Sequence, residues 1–177
     1  MNIIFLDMDG VLCTMRAVVA TKDGGLIGAI DQVAVGMLNT LQDMIFEQHG
    51  ETTRIVVSST WRKDGWLGFG YNMPRLLQCI GLRVPCASHK DHEEIFRTPD
   101  LQTKRGLEIQ EWITDYGDVL GMKRYAILDD DSDMLESQMQ NFVKTDCYDG
   151  MSFNNYLKLR DIFEVKTENY HRSSYPK

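Results

Sequence analysis

Asp7 and Asp9 stand two residues apart directly behind the apolar run at 2–6, and Gly10 follows them. A buried strand that ends on a carboxylate and then turns at a glycine presents both acids at one sheet edge. Such a pair can divide the work of phosphoryl transfer. Asp7, at the strand end, attacks phosphorus. Asp9, past the strand on the turn, protonates the leaving oxygen and later takes a proton from water. A phosphate repels an attacking carboxylate, so the chemistry needs a cation, and hard oxygen ligands suit Mg²⁺. The expected ligands are Asp7, the main-chain carbonyl of Asp9, and Asp129 or Asp130 from the acidic run at 129–131. So many carboxylates packed together without a cation would repel one another.

Phosphoryl transfer also needs donors to the phosphate oxygens. Ser58 and Ser59 end the apolar run at 54–58 and are candidates for hydroxyl and backbone N–H bonds, helped by a helix expected just after them. They serve equally as caps of that helix. Gly10, Thr60 and Arg62 complete the candidate substrate-binding set, with a surface arginine the alternative reading of Arg62. Lys104 and Arg105 open a helix, where a cation opposes the macrodipole. A basic side chain reaching Asp7 and the phosphate explains its presence, and spacing does not choose between the two.

The elements that must carry these residues alternate between β and α. Strands are expected at Asn2 to Leu6, Arg54 to Ser58, Tyr125 to Leu128 and Phe142 to Thr145. Between them lie helices from an Asp31 N-cap to about His49, from Pro74 to Gly81, from near Lys104 through Tyr116, and from a Ser152 cap through Phe163. Ile109, Trp112, Ile113 and Tyr116 form the buried face of the third. Residues 13–30 read as a flexible flap, and 87–104 as polar and irregular. This alternation predicts an α/β parallel sheet flanked by helices, one domain over 1–166, and a loose polar tail at 167–177. In such sheets ligands bind beyond the carboxyl ends of the strands, where Asp7, Ser58, Ser59, Asp129 and Asp130 all fall.

Composition fits that picture. The chain has 177 residues, 43% hydrophobic and 25% charged, enough for one packed domain. Its net charge of −7 argues against tracking long duplex nucleic acid, while leaving room for one phosphate. Cys13, Cys79, Cys86 and Cys147 make no CxxC pair or zinc-type cluster and read as free thiols. The amino terminus predicts neither a signal peptide nor a membrane span, hence a cytoplasmic protein. His89 and His92 in KDHEE read as a solvated loop rather than a second metal site. Trp61 and Trp66 read as packing residues, with base stacking the alternative. GWLGFGYN lacks the strand–turn–helix context of a phosphate-binding glycine loop.

FLDMDGVL resembles the first motif of the haloacid dehalogenase (HAD) superfamily, with Val11 where a threonine is common. VVSST resembles its second motif, the cation at Lys104 or Arg105 its third, and ILDDD its acidic fourth, in the family's order over residues 3 to about 133. SSTWR, RGLEIQEWI and YAILDDDSDM are similar to small HAD domains of RNA-repair proteins and, more distantly, to the phosphatase domain of phage polynucleotide kinase–phosphatases. The resemblance implies a Rossmann-like sheet with little or no cap, Mg²⁺ dependence, and a phosphate monoester on a nucleotide or nucleic-acid end. It also implies an aspartyl-phosphate intermediate, and because dehalogenating relatives lack the acid at Asp9, its presence points to phosphatase chemistry. A nucleotide-binding or sensing module on the same fold is the alternative, but a pure binder has no need of Asp9. The sequence carries no signature of oligomeric state.

Overall fold

Alternation along the strands decides how the layers stack. In the computed structural model, which describes residues 1–20, 29–63, 72–84 and 93–166, β1 (Asn2–Leu6) is buried along its whole length. Ile4 and Leu6 face one apolar cluster, and Ile3 and Phe5 the other. The helices α2 (Gln32–His49), α3 (Met73–Cys79) and α5 (Phe153–Ile162) pack on the first side. On the second side α4 (Arg105–Tyr116) lays Ile109 and Trp112 against Phe5, Val56 and Ile127. Trp112 meets the Phe5 ring edge-on, centroids 5.2 Å apart.

The sheet is four-stranded and all-parallel, in the order β2 (Thr53–Val57), β1, β3 (Arg124–Asp129), β4 (Phe142–Lys144). The chain leaves β1 towards β2, then crosses over to β3 on the opposite flank. The switch point therefore lies between β1 and β3, at their carboxyl ends. This is the sequence-predicted architecture, with strand limits moved by a residue or two. Asp129 belongs to β3, while Ser58 is the first loop residue after β2.

Local chemistry explains the helix limits. The Asp31 carboxylate accepts from the N–H groups of Val33 and Ala34, and Gly50 closes α2 in the left-handed region at φ 65°. Ser152 and Asn155 form a reciprocal capping box at the start of α5. Two expectations change. The 13–30 segment holds a helix, α1 (Met15–Ala20), because Thr14 Oγ1 accepts the Ala17 N–H as a cap. The 87–104 segment contains a 3₁₀ turn at Glu93–Phe96 that buries Ile95 and Phe96. His89, His92, Trp66, Cys86, nearly all of GWLGFGYN and the tail at 167–177 lie outside the described residues.

Candidate active site

Strand register brings the carboxylates together. Leu6 pairs with Val57 on one side and with Leu128 on the other. The next row of the sheet is therefore Ser58, Asp7 and Asp129. The pairing continues into that row: the Asp7 N–H donates to Leu128 O at 2.9 Å, and the Ser58 N–H to Leu6 O at 2.9 Å. Asp7 is 6% exposed and Asp129 is fully buried. Carboxylate oxygens of Asp7, Asp129 and Asp130 all lie within 4.8 Å of one another.

The turn after β1 needs its glycine. Gly10 has φ 69°, and a Cβ there would stand 2.3 Å from the Asp130 Cγ. The missing side chain lets the Asp130 carboxylate approach the turn, and Thr145 Oγ1 secures it by donating to Gly10 O at 2.7 Å. Asp9 lies exposed on this turn, outside the buried trio. Its Oδ2 accepts the indole N–H of Trp61 at 2.9 Å. Cys13 sits beside Asp9, and burial with the Asp9 charge pushes its thiol up, which keeps it a thiol.

Among the described residues, one basic side chain enters the cluster. Arg105 Nη1 donates to Asp7 Oδ1 at 3.1 Å and to the Ser58 carbonyl, and lies 3.5 Å from Asp129 Oδ2. Lys104 is the exposed N-cap residue of α4, so the structure places Arg105, and not Lys104, against Asp7. The helix tolerates this cation because Asp133 Oδ2 accepts the Arg105 backbone N–H at 2.8 Å and supplies the negative charge its N-terminus favours. Gly106 permits the close docking, since a Cβ there would come within 2.6 Å of Leu135 N. Asp133 was missed by sequence reasoning, although it lies two residues past the acidic run at 129–131.

The two serines separate. The Ser59 hydroxyl pulls the Asp7 carboxyl down, against burial, and accepts the Trp61 N–H at 3.3 Å. The Ser58 hydroxyl is buried and makes no hydrogen bond among the described residues. The helix expected after them is a single 3₁₀ turn, Thr60–Arg62, too short for a useful macrodipole. Thr60 is exposed on it. Arg62 is 3% exposed, which excludes the surface reading. Its Nη1 donates to Ser58 O and Ser59 O at 2.9 and 2.8 Å, and its Nη2 to Glu108 Oε2 at 2.5 Å. The guanidinium is thereby turned into the protein, where it props the serine loop. A cavity of about 380 Å³ lies beside it, lined by residues such as Lys63, Arg97, Asp100 and Tyr116 and by none of the clustered aspartates.

The residues fit a divalent cation. Burial and then the Asp7 charge push the Asp129 carboxyl up to about 7, against the pull of Arg105. Burial likewise raises Asp7, opposed chiefly by Arg105 and the Ser59 hydroxyl; burial, Asp7 and Asp131 raise Asp130. Asp129 Oδ2 is buried and makes no hydrogen bond among the described residues. Three close carboxylates facing one guanidinium leave negative charge over, and a hard dication with oxygen ligands would offset it.

The family model described as the HAD domain in Swiss Army Knife RNA repair proteins matches residues 3–155. The chain belongs to this family. Membership of the HAD superfamily brings with it hydrolase chemistry of the phosphatase type in general, on a fold that agrees with the sheet described above. No curated protein and no solved structure matches this HAD domain. Among its described residues no helix is long and apolar enough to cross a membrane.

Proposed function

We propose that this HAD domain is a Mg²⁺-dependent phosphatase that hydrolyses a phosphate monoester through an aspartyl-phosphate on Asp7. The observation that carries the reading is the Asp7 carboxylate, held by Arg105 and ringed by Asp129 and Asp130 at the switch point. Mg²⁺, held by Asp7, Asp129, Asp130 and the Asp9 carbonyl, would neutralise phosphate charge.

The chain's own groups divide the remaining work. Arg105 fixes the rotamer of Asp7, so its oxygen meets phosphorus in line. An Asp7 O–P bond forms as the P–O bond to the leaving group breaks, and Asp9 protonates the departing oxygen. Asp9 then takes a proton from the water that attacks the aspartyl-phosphate, freeing Asp7 and releasing phosphate. Arg105 also offers charge to the transferring group.

The substrate we infer is a nucleotide or a nucleic-acid end, with a 3′-phosphate the leading case. The family's description as part of RNA repair proteins supports this reading. Recognition of a terminus needs one phosphate site and no long basic track, consistent with the net charge of −7. The test is phosphate release from para-nitrophenyl phosphate, nucleoside monophosphates and a 3′-phosphorylated oligonucleotide, with and without Mg²⁺. Metal-dependent release that vanishes in Asp7→Asn is expected. Release that survives Asp7→Asn, or excess chelator, refutes the scheme, and no release from any probe moves the fold to a binding role.

A further inference from the structure

The Trp61 indole points its only polar atom at Asp9, an acid that stands outside the carboxylate trio. We propose that Trp61 is a positioning residue for proton transfer by Asp9, leaving Asp9 Oδ1 as the oxygen that carries the proton. The inference rests on the reading of Asp9 as the proton shuttle.

Asp9 is exposed on a turn, and a short exposed carboxylate there would sample several rotamers. Trp61 is 2% exposed and packed in the core that holds Met8, Val57 and Leu77, so its ring cannot follow such motion. That burial also removes the ring face from solvent, so Trp61 offers no platform on which a base could stack. The indole N–H is a donor and never an acceptor. At 2.9 Å from Asp9 Oδ2 it stabilises negative charge on that oxygen and so disfavours a proton there relative to Oδ1. Oδ1 is left to give the proton to the leaving oxygen as the P–O bond breaks, and to collect one from water afterwards.

The same short turn addresses both acids. Ser59 acts on the Asp7 carboxyl and accepts the Trp61 backbone N–H, while the Trp61 side chain reaches Asp9. The segment at 59–61 therefore sets the nucleophile and the acid relative to each other, although it lies some fifty residues from both in the chain. A proton donor held in one geometry gains through proximity, and a displacement of about 1 Å can cost about 100-fold in rate.

Dependence on the leaving group separates this role from structural support. The ratio kcat/KM reports steps up to transfer onto Asp7, and para-nitrophenolate departs without a proton. The sugar oxygen of a 3′-phosphorylated oligonucleotide requires one. In this chain with Mg²⁺, Asp9→Asn should lower kcat/KM for the oligonucleotide by about 10²–10⁴ and for para-nitrophenyl phosphate by a much smaller factor. Trp61→Phe should give the same selective pattern, at about 10–100-fold on the oligonucleotide. Because Trp61→Phe also thins the core, a second variant replaces the indole by benzothiophene, which keeps the ring shape and removes only the N–H. Selective loss in the benzothiophene variant supports the proposal. Equal loss on both probes, or no loss, overturns it while leaving Asp9 in place. If Asp9→Asn itself shows no dependence on the leaving group, the shuttle reading fails, and the role of Trp61 with it.

Discussion

Glu108→Gln tests whether the serine loop is held from behind. Arg62 and Glu108 form a buried pair with side chains 3% and 4% exposed and 2.5 Å between Nη2 and Oε2. Burial pulls the Arg62 guanidinium below its ordinary range, and the Glu108 charge is what chiefly opposes this. Glutamine keeps the shape of the side chain and an oxygen for the Leu101 N–H, which Glu108 Oε1 now accepts at 3.1 Å. It removes the charge and turns a donor towards a donor. The next carboxylate, Asp100, lies 4.0 Å from Arg62 with its side chain 38% exposed, too far and too wet to substitute. Removing one partner of a buried pair typically costs about 3–5 kcal/mol. A chain of this size shifts by about 2–4 °C per kcal/mol, so a fall of about 10 °C in Tm is expected. Thermal unfolding followed by circular dichroism at neutral pH reads it. The double variant Arg62→Met with Glu108→Leu should cost less than the sum of its single changes, because each single change strands a buried charge and the double leaves none. A loss below about 1 kcal/mol for Glu108→Gln, or strict additivity in the cycle, would refute the buried-strut reasoning.

Other outcomes follow from the same geometry. Gly10→Ala should cost about 1–2 kcal/mol for its left-handed backbone and abolish Mg²⁺-dependent turnover, since the new methyl collides with Asp130; wild-type turnover would contradict that contact. Mg²⁺ at about 100 times its Kd should stabilise the fold by about 2.7 kcal/mol, read as a rise in Tm that Asp129→Asn removes. The Glu51 carboxyl is held at about 2 by hydrogen bonds from Lys123 and then Asn2, below an ordinary value of 4.5. Its contribution to stability is therefore present above the unfolded pKa and lost as pH falls from about 4 towards 2. Glu51→Gln should flatten the stability curve over that acid range in equilibrium unfolding, and an unchanged slope would count against the assignment.

Much of this protein is legible in its residues alone. Four apolar runs separated by capped amphipathic helices predict a parallel α/β sheet, and the structure has it. Asp7, Asp129 and Asp130 were readable because they follow buried strands directly, a local pattern that needs no tertiary information. The choice of Arg105 over Lys104 was not legible from spacing; the packing of Ile109 and Trp112 of α4 against the sheet brings Arg105 to Asp7.

Other features depended on tertiary contacts. Ser58 and Ser59 are chemically identical neighbours, and only the strand register with the 3₁₀ turn decides that Ser59 meets Asp7. Arg62 is read from sequence as a phosphate ligand or a surface residue, yet Glu108, 46 positions away, draws it inward. Trp61 reaching Asp9 and Asp133 capping α4 belong to the same class. Sequence pattern reports which face of an element is apolar, because burial repeats with the element's own period. It does not report which polar atom meets which across a sheet edge, because that pairing is set by the packing of elements remote in the chain.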